Sequence, residues 1–195
     1  MTARSRLLAL AVLVLGVAGP LAAPGARAAG APEVASIDAL CASSGDRALR
    51  GSPTSFVRIF GRADDGHWQP VSADVLGRIA REPNLYSEVA ETWFADGAVA
   101  VVAIAARSLE IRVNTSYCYR SEGSLARVIE SSSGGAVRDE ETRYFDESGN
   151  VVSRSSQFYD IFPRPGRTLS PDLRPGTPEL YLTVRALPFY AMLPK

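Results

Sequence analysis

Three stretches decide the reading of this chain: Trp93-Phe94-Ala95-Asp96-Gly97-Ala98-Val99, Tyr119-Arg120-Ser121-Glu122-Gly123-Ser124-Leu125 and Phe145-Asp146-Glu147-Ser148-Gly149-Asn150-Val151. Their glycines lie 26 residues apart each time, an aromatic stands four positions before each, and an apolar residue stands two positions after. Polar Asp96, Glu122 and Ser148 immediately precede the glycines. A β-hairpin accounts for the pattern. The glycine takes the positive φ that a tight turn requires, and the aromatic and apolar residues face each other across the two strands. Three such units predict six antiparallel strands within residues 85–160.

The flanking segments agree. Ala98-Val99-Ala100-Val101-Val102-Ala103-Ile104 is apolar on both faces and reads as a central, covered strand. Glu110 to Tyr119 places Ile111, Val113 and Tyr117 on one side, which suits a strand with one wet face. Upstream, Ser55 to Phe60 is β-branched and aromatic, Asp64-Asp65-Gly66 offers a turn, and His67 to Val71 returns, a first hairpin. Residues 32–44 carry Val34, Ile37, Leu40 and Cys41 at helical spacing. A second helix begins after Ser72, bears Val75, Leu76, Ile79 and Ala80, and stops at Pro83. The expected fold is mainly β (α+β): a curved antiparallel meander of about six to eight strands, built from three 26-residue hairpin repeats, with one or two short N-terminal helices. A period of this length also suits solenoids and propellers, but three hairpins are too few for four-stranded blades.

Beyond the meander, Pro163, Pro165, Pro171, Pro175 and Pro178 with Gly166 and Gly176 predict an extended crossing over 163–179. Residues 180–186 then read as a final strand that rejoins the sheet rather than one donated to another molecule.

The N-terminus reads as a cleaved signal peptide over residues 1–28. Arg4 and Arg6 precede the apolar run Leu7 to Val17, and Ala26-Arg27-Ala28 offers small residues at the cleavage site. That run is shorter than a bilayer span and is followed by Gly19, Pro20, Pro24 and Gly25. One domain, 29–195, would remain, secreted or periplasmic, with no stable membrane insertion. In that setting Cys41 and Cys118 are expected to form one disulfide that staples the first helix to the sheet.

Composition narrows the function. With 46% hydrophobic residues and 21 basic side chains against 21 acidic ones, the chain is neither disordered nor a generic binder of phosphate. Removing residues 1–28 takes Arg4, Arg6 and Arg27 and no acid, leaving a net charge of −3, so nucleic acid is not an expected partner. The arginines are scattered among acids. Two cysteines and a lone His67 fall short of a zinc site, and no phosphate loop, dinucleotide fingerprint or G-x-S-x-G elbow occurs. No cofactor or metal is expected.

Several side-chain groups still invite chemistry. Asp64, Asp65 and His67 could serve a hydrolase as base and orienting carboxylates, although they surround a polar turn. Asp139-Glu140-Glu141 could supply paired carboxylates, but strand neighbours point to opposite faces and such a run also suits a solubilising loop. Asp146 to Asn150 has oxygen ligands around a glycine without the full calcium-loop pattern. Trp93, Tyr119 and Phe145 would form an aromatic platform if exposed together, but equal spacing in hairpins suits a core. Asn114-Thr115-Ser116 matches a glycosylation sequon within a strand. The expected function is a non-catalytic binding or structural role in the envelope or outside the cell, with a protein or small-molecule partner. A carrier of an apolar ligand and a hydrolase using Asp64, Asp65 and His67 are the alternatives.

Overall fold

The computed structural model of the protein describes residues 30–61, 64–79, 81–82, 86–107, 111–134, 137–160 and 179–195. The expected signal peptide and, apart from Glu179, the Pro-rich crossing 163–179 lie outside the described residues. Helix α1 (Ala31–Ala48) and strand β1 (Thr54–Gly61) come first. Then follow β2 (Asp64–Asp65), β3 (Gln69–Pro70), helix α2 (Ala73–Ile79) and the long strands β4 (Tyr86–Ala95), β5 (Ala98–Arg107), β6 (Ile111–Tyr119), β7 (Leu125–Gly134), β8 (Val137–Phe145) and β9 (Val151–Asp160). They make one antiparallel sheet in the order β2-β1-β4-β5-β6-β7-β8-β9, with β3 also on β1, and its two edges do not meet. The meander expected from the glycine pattern is thus present, open and mainly β.

Gly97, Gly123 and Gly149 all have positive φ, at 79°, 88° and 83°. The turns they make are of two kinds. Asp96 (φ 53°) and Gly97 form a two-residue connection with both residues left-handed, whereas Arg120 to Ser124 and Asp146 to Asn150 are longer loops with the glycine alone at positive φ. This difference corrects the first unit. Phe94 stands opposite Val99, and Trp93 pairs with Val101 on the other face, while Tyr119 and Phe145 do stand opposite Leu125 and Val151.

Each of these hairpins carries a bulge just inside its turn. The pairing skips Ala100, Ala126 and Val152, so two consecutive residues of the returning strand oppose one on its partner. Because a bulge puts both residues on the same side, Ala126 and Arg127 share the face of Cys118. That face receives α1, whose Ile37, Cys41, Ser44 and Ala48 repeat at helical spacing and are buried. Ile37, Cys41, Cys118 and Ala126 form a small core with Leu40, Tyr144 and Val152 at its margin. The Cys41–Cys118 disulfide lies inside it, with Cα atoms 5.8 Å apart. Asp38 adds an ion pair to Arg127 at 2.6 Å and accepts a hydrogen bond from the Tyr144 hydroxyl at 3.3 Å.

The opposite face holds the main core: Phe56, Val99, Val102, Tyr117, Tyr119, Leu125, Val128 and Phe145, closed by Leu187, Phe189 and Leu193 from the C-terminal segment. Phe189 is fully buried, stacks on Phe56 at 4.6 Å and meets Trp68 at 5.2 Å. The expected final strand 180–186 is corrected here. Thr183 makes one isolated bridge to Ser124, and Val184–Ala186 and Tyr190–Met192 are 3-10 turns. The reason is positional. β7 already pairs on both sides, so the returning chain finds free backbone groups only at the β6–β7 turn, where Leu125 N–H donates to Leu182 C=O and Val184 N–H to Gly123 C=O, both at 2.9 Å.

Two stability measurements follow. The disulfide closes a separation of 77 residues, so chemical denaturation of a Cys41→Ser/Cys118→Ser variant should show a loss of about 2–4 kcal/mol. Phe189→Ala empties a filled position and should cost about 3–5 kcal/mol; a loss below about 1 kcal/mol would mean that the C-terminal segment is not docked.

Candidate functional site

Antiparallel registers give the face under the C-terminal segment a sequence-ordered grid. One row across the strands reads Phe56, Ala90, Ile104, Thr115, Glu130, Glu141 and Ser156, and the next, farther from the turns, reads Arg58, Glu88, Ala106, Val113, Ser132, Asp139 and Phe158. The first row passes from Phe56 at β1 to carboxylates at β7 and β8, while the second carries the Arg58–Glu88 pair at one side and Asp139 on β8 at the other. Nearer the turns, Tyr117, Val128, Arg143 and Arg154 form the adjoining row. Chemistry-bearing side chains therefore concentrate on β7, β8 and β9, beside rather than under the apolar closure.

Glu141 is the hub of this group. It accepts hydrogen bonds from Arg143, its neighbour two positions along β8, and from Arg154 across on β9 at 2.8 Å. Burial alone would raise its pKa, but the two guanidiniums outweigh burial and hold the carboxyl below its usual range. Glu130, directly opposite on β7, accepts no hydrogen bond from either guanidinium. Burial raises its pKa to about 7; Arg143 opposes the rise, and the charges of Glu141 and Asp139 add to it. The Oε2 atom of Glu130 and the Oδ1 atom of Asp139 are both buried without a hydrogen-bond partner. Two carboxylates held apart in proton affinity by their surroundings are the arrangement from which acid–base chemistry is built.

A tyrosine band separates this group from the core. Tyr117 donates to Glu179 C=O at 2.8 Å and Tyr119 to Tyr181 C=O at 3.1 Å, which ties the C-terminal segment to the centre of the sheet. Burial raises all three tyrosine hydroxyls, Tyr117, Tyr119 and Tyr181, above their ordinary range, and they act here as neutral donors. Tyr181 in turn donates to the Glu179 carboxylate. Farther across, the Arg58 guanidinium pairs with Glu88 and lies over Phe60 and Trp68, at 4.9 and 5.2 Å from their ring centres.

The residues singled out from sequence are distributed differently. Asp64 and Asp65 pair through their backbones with Gly61 and Phe60, so they belong to the returning strand rather than a turn; their side chains lie outside the described residues. Gly66, at φ 77°, interrupts that strand, and His67 just beyond it is exposed. Asp139, Glu140 and Glu141 form part of β8 rather than a loop, with Asp139 and Glu141 on the face of Glu130 and Glu140 on the other. Asp146 closes its own turn, its Oδ1 accepting from the Ser148 and Asn150 N–H groups at 2.9 and 2.8 Å. The aromatic platform is divided: Tyr119 and Phe145 are buried in the main core, and Trp93 lies on the α1 face. Asn114 is exposed on β6.

Glu130 was not singled out from sequence, because a single acid in Leu125-Ala126-Arg127-Val128-Ile129-Glu130-Ser131 carries no signal until the register places it opposite Glu141. Two surface grooves accompany these features. One, of about 570 Å³, lies between α1 and two hairpin turns, lined by Glu33, Ile37, Leu40, Arg120, Glu122 and Asp146. The other, of about 450 Å³, lies beside the C-terminal segment at Gly123, Val184 and Tyr190. Among the described residues no three His, Cys, Asp or Glu side chains stand together as metal ligands, and no helix is long and apolar enough to cross a membrane. No family model, no curated protein and no solved structure matches the chain.

The ion-pair hub is open to test by urea denaturation. The Glu141 and Arg143 side chains are 14% and 13% exposed, so Glu141→Gln, which removes the carboxylate that Arg143 is ion-paired to, should cost about 1–3 kcal/mol. Arg154, at 58% exposure, should cost less than about 1 kcal/mol when replaced by Ala.

Proposed function

We propose that this chain is an exported, secreted or periplasmic β-sheet protein with a non-catalytic binding or structural role, made as a precursor whose residues 1–28 are a signal peptide. The single observation that carries the reading is the Cys41–Cys118 bridge, which is buried and joins the first helix to the sixth strand. A structural disulfide of this kind persists in oxidising compartments, where the apolar run and cleavage motif of residues 7–28 would deliver it. The mature product would be one domain, residues 29–195, carrying a net charge of −3.

The three glycine hairpins belong to the same reading. Positive φ at each glycine and a one-residue bulge after each turn support a repeated unit of 26 residues, even though the first turn is shorter. A repeated hairpin extends a sheet without adding reactive groups, which suits a scaffold that presents a surface to a protein or small-molecule partner. The apolar-carrier alternative has weaker support. The space between the sheet and the C-terminal segment, where such a ligand would lie, holds Phe56, Tyr119, Phe145 and Phe189, each exposed by 1% or less.

Intact mass of the protein purified gently from its native host tests the proposal. The expected species is residues 29–195, about two daltons lighter before reduction than after, as loss of two hydrogens on bridging requires. A full-length mass with free thiols would overturn both export and the role built on it, and a co-purifying apolar molecule would favour the carrier.

A further inference from the structure

The crowding of carboxyl groups between β7 and β8 carries one more step. At the turn end β8 and β9 are held firmly. Arg120 donates to the carbonyls of Leu125 and Phe145 at 2.8 and 2.7 Å, and Tyr144 reaches Asp38 on α1. At the other end β8 follows β7 after two residues, with Val137 paired to Gly134 and to Asp160, so the middle of β8 depends on the ladder and the side-chain layer above it. β9 is the last strand in the sheet order; its ladder is with β8, and Val152 at its turn end packs against the α1 core.

That layer does not balance in charge. Facing Glu130 are Thr115 and Tyr117 from β6, Asp139, Glu141 and Arg143 from β8, Arg154 and Ser156 from β9, and beyond Tyr117 the Glu179 carboxylate bound by Tyr181. Both guanidiniums are engaged by Glu141, while Glu130 and Asp139 each keep a buried oxygen that receives no donor. Like charges directly opposite each other on neighbouring strands repel, and Glu130 stands directly opposite Glu141.

We propose that Glu130 is a proton-held latch: with its proton in place β8 closes against β7 along its whole length, and loss of that proton loosens β8, and β9 paired to it, around the Glu130–Glu141 contact in mid-strand. The sign is the reverse of the usual carboxylate case. Because burial raises Glu130 to about 7 in the folded chain, its contribution is fully present below the ordinary carboxylate range and is lost as pH rises through about 7. The arrangement would tighten the sheet in acid surroundings and relax its outer hairpin in neutral and alkaline ones.

The test is carbon-detected NMR titration of the glutamate side chains together with amide protection factors, on the full mature protein. The expected results are a Glu130 midpoint near 7 and protection in β8 and β9 about tenfold lower at pH 8 than at pH 5.5, with β4 and β5 unchanged. Asp139→Asn keeps Glu130 but removes a neighbouring charge, so it should shift that midpoint down. Glu130→Gln should hold the hairpin closed at both pH values. A Glu130 midpoint in the ordinary carboxylate range, or a pH-dependent loss of protection that survives Glu130→Gln, would overturn the proposal.

Discussion

An open antiparallel sheet must cover the apolar parts of both its faces, and that constraint shapes everything else in this protein. The two ends of the described chain meet it in different ways. On one face α1 contributes the narrow stripe Ile37, Cys41, Ser44 and Ala48, and a covalent bond to Cys118 holds it there. On the other face the C-terminal segment inserts Leu187, Phe189 and Leu193 and needs no crosslink, because Phe189 finds a deep aromatic seat on Phe56 and Trp68. The amount of apolar surface on each side explains the difference. The α1 core is four buried residues, small enough that a bridge matters, whereas the opposite core runs across most of the sheet.

Both closures sit toward the hairpin turns, and this has a chemical consequence at the other end of the strands. Beyond the tyrosine band, the row that is aromatic at β1, with Phe56, becomes charged at β7 and β8, with Glu130 and Glu141. Tyr117 and Tyr119 mark the boundary, with rings in the core and hydroxyls on the backbone of the C-terminal segment. The sheet therefore has a rigid, apolar half and a polar half whose cohesion depends on how Arg143, Arg154, Glu141 and Glu130 share charge.

Much of this architecture was legible in the sequence. Gly97, Gly123 and Gly149 mark turns through a local property, positive φ, that only glycine meets cheaply. The unbroken apolar run Ala98 to Ile104 marked β5, which is buried under α1 on one side and the main core on the other. The cysteine pair told which helix meets which strand. What was hidden depended on register. The two-residue turn of the first hairpin, against the longer loops of the other two, is enough to send Trp93 to the opposite face from Tyr119 and Phe145. The strand-like Leu180 to Arg185 became a bridge and a 3-10 turn because the strands it crosses were already paired. The Glu130–Glu141 contact could not be read from either segment alone, since each carries ordinary scattered charge until the two strands are aligned.

Hydrogen exchange on the intact oxidised protein tests the central claim, that segments at both ends of the described chain close the two faces of the meander. The backbone amides of Val102, Tyr117 and Val128, covered from one side by the C-terminal segment and near α1 on the other, should exchange slowest, with α1 and residues 187–193 protected well above open chain. Free exchange throughout α1 and residues 187–193 beside a protected sheet would contradict the account, because the meander would then be stable without the two segments said to complete it.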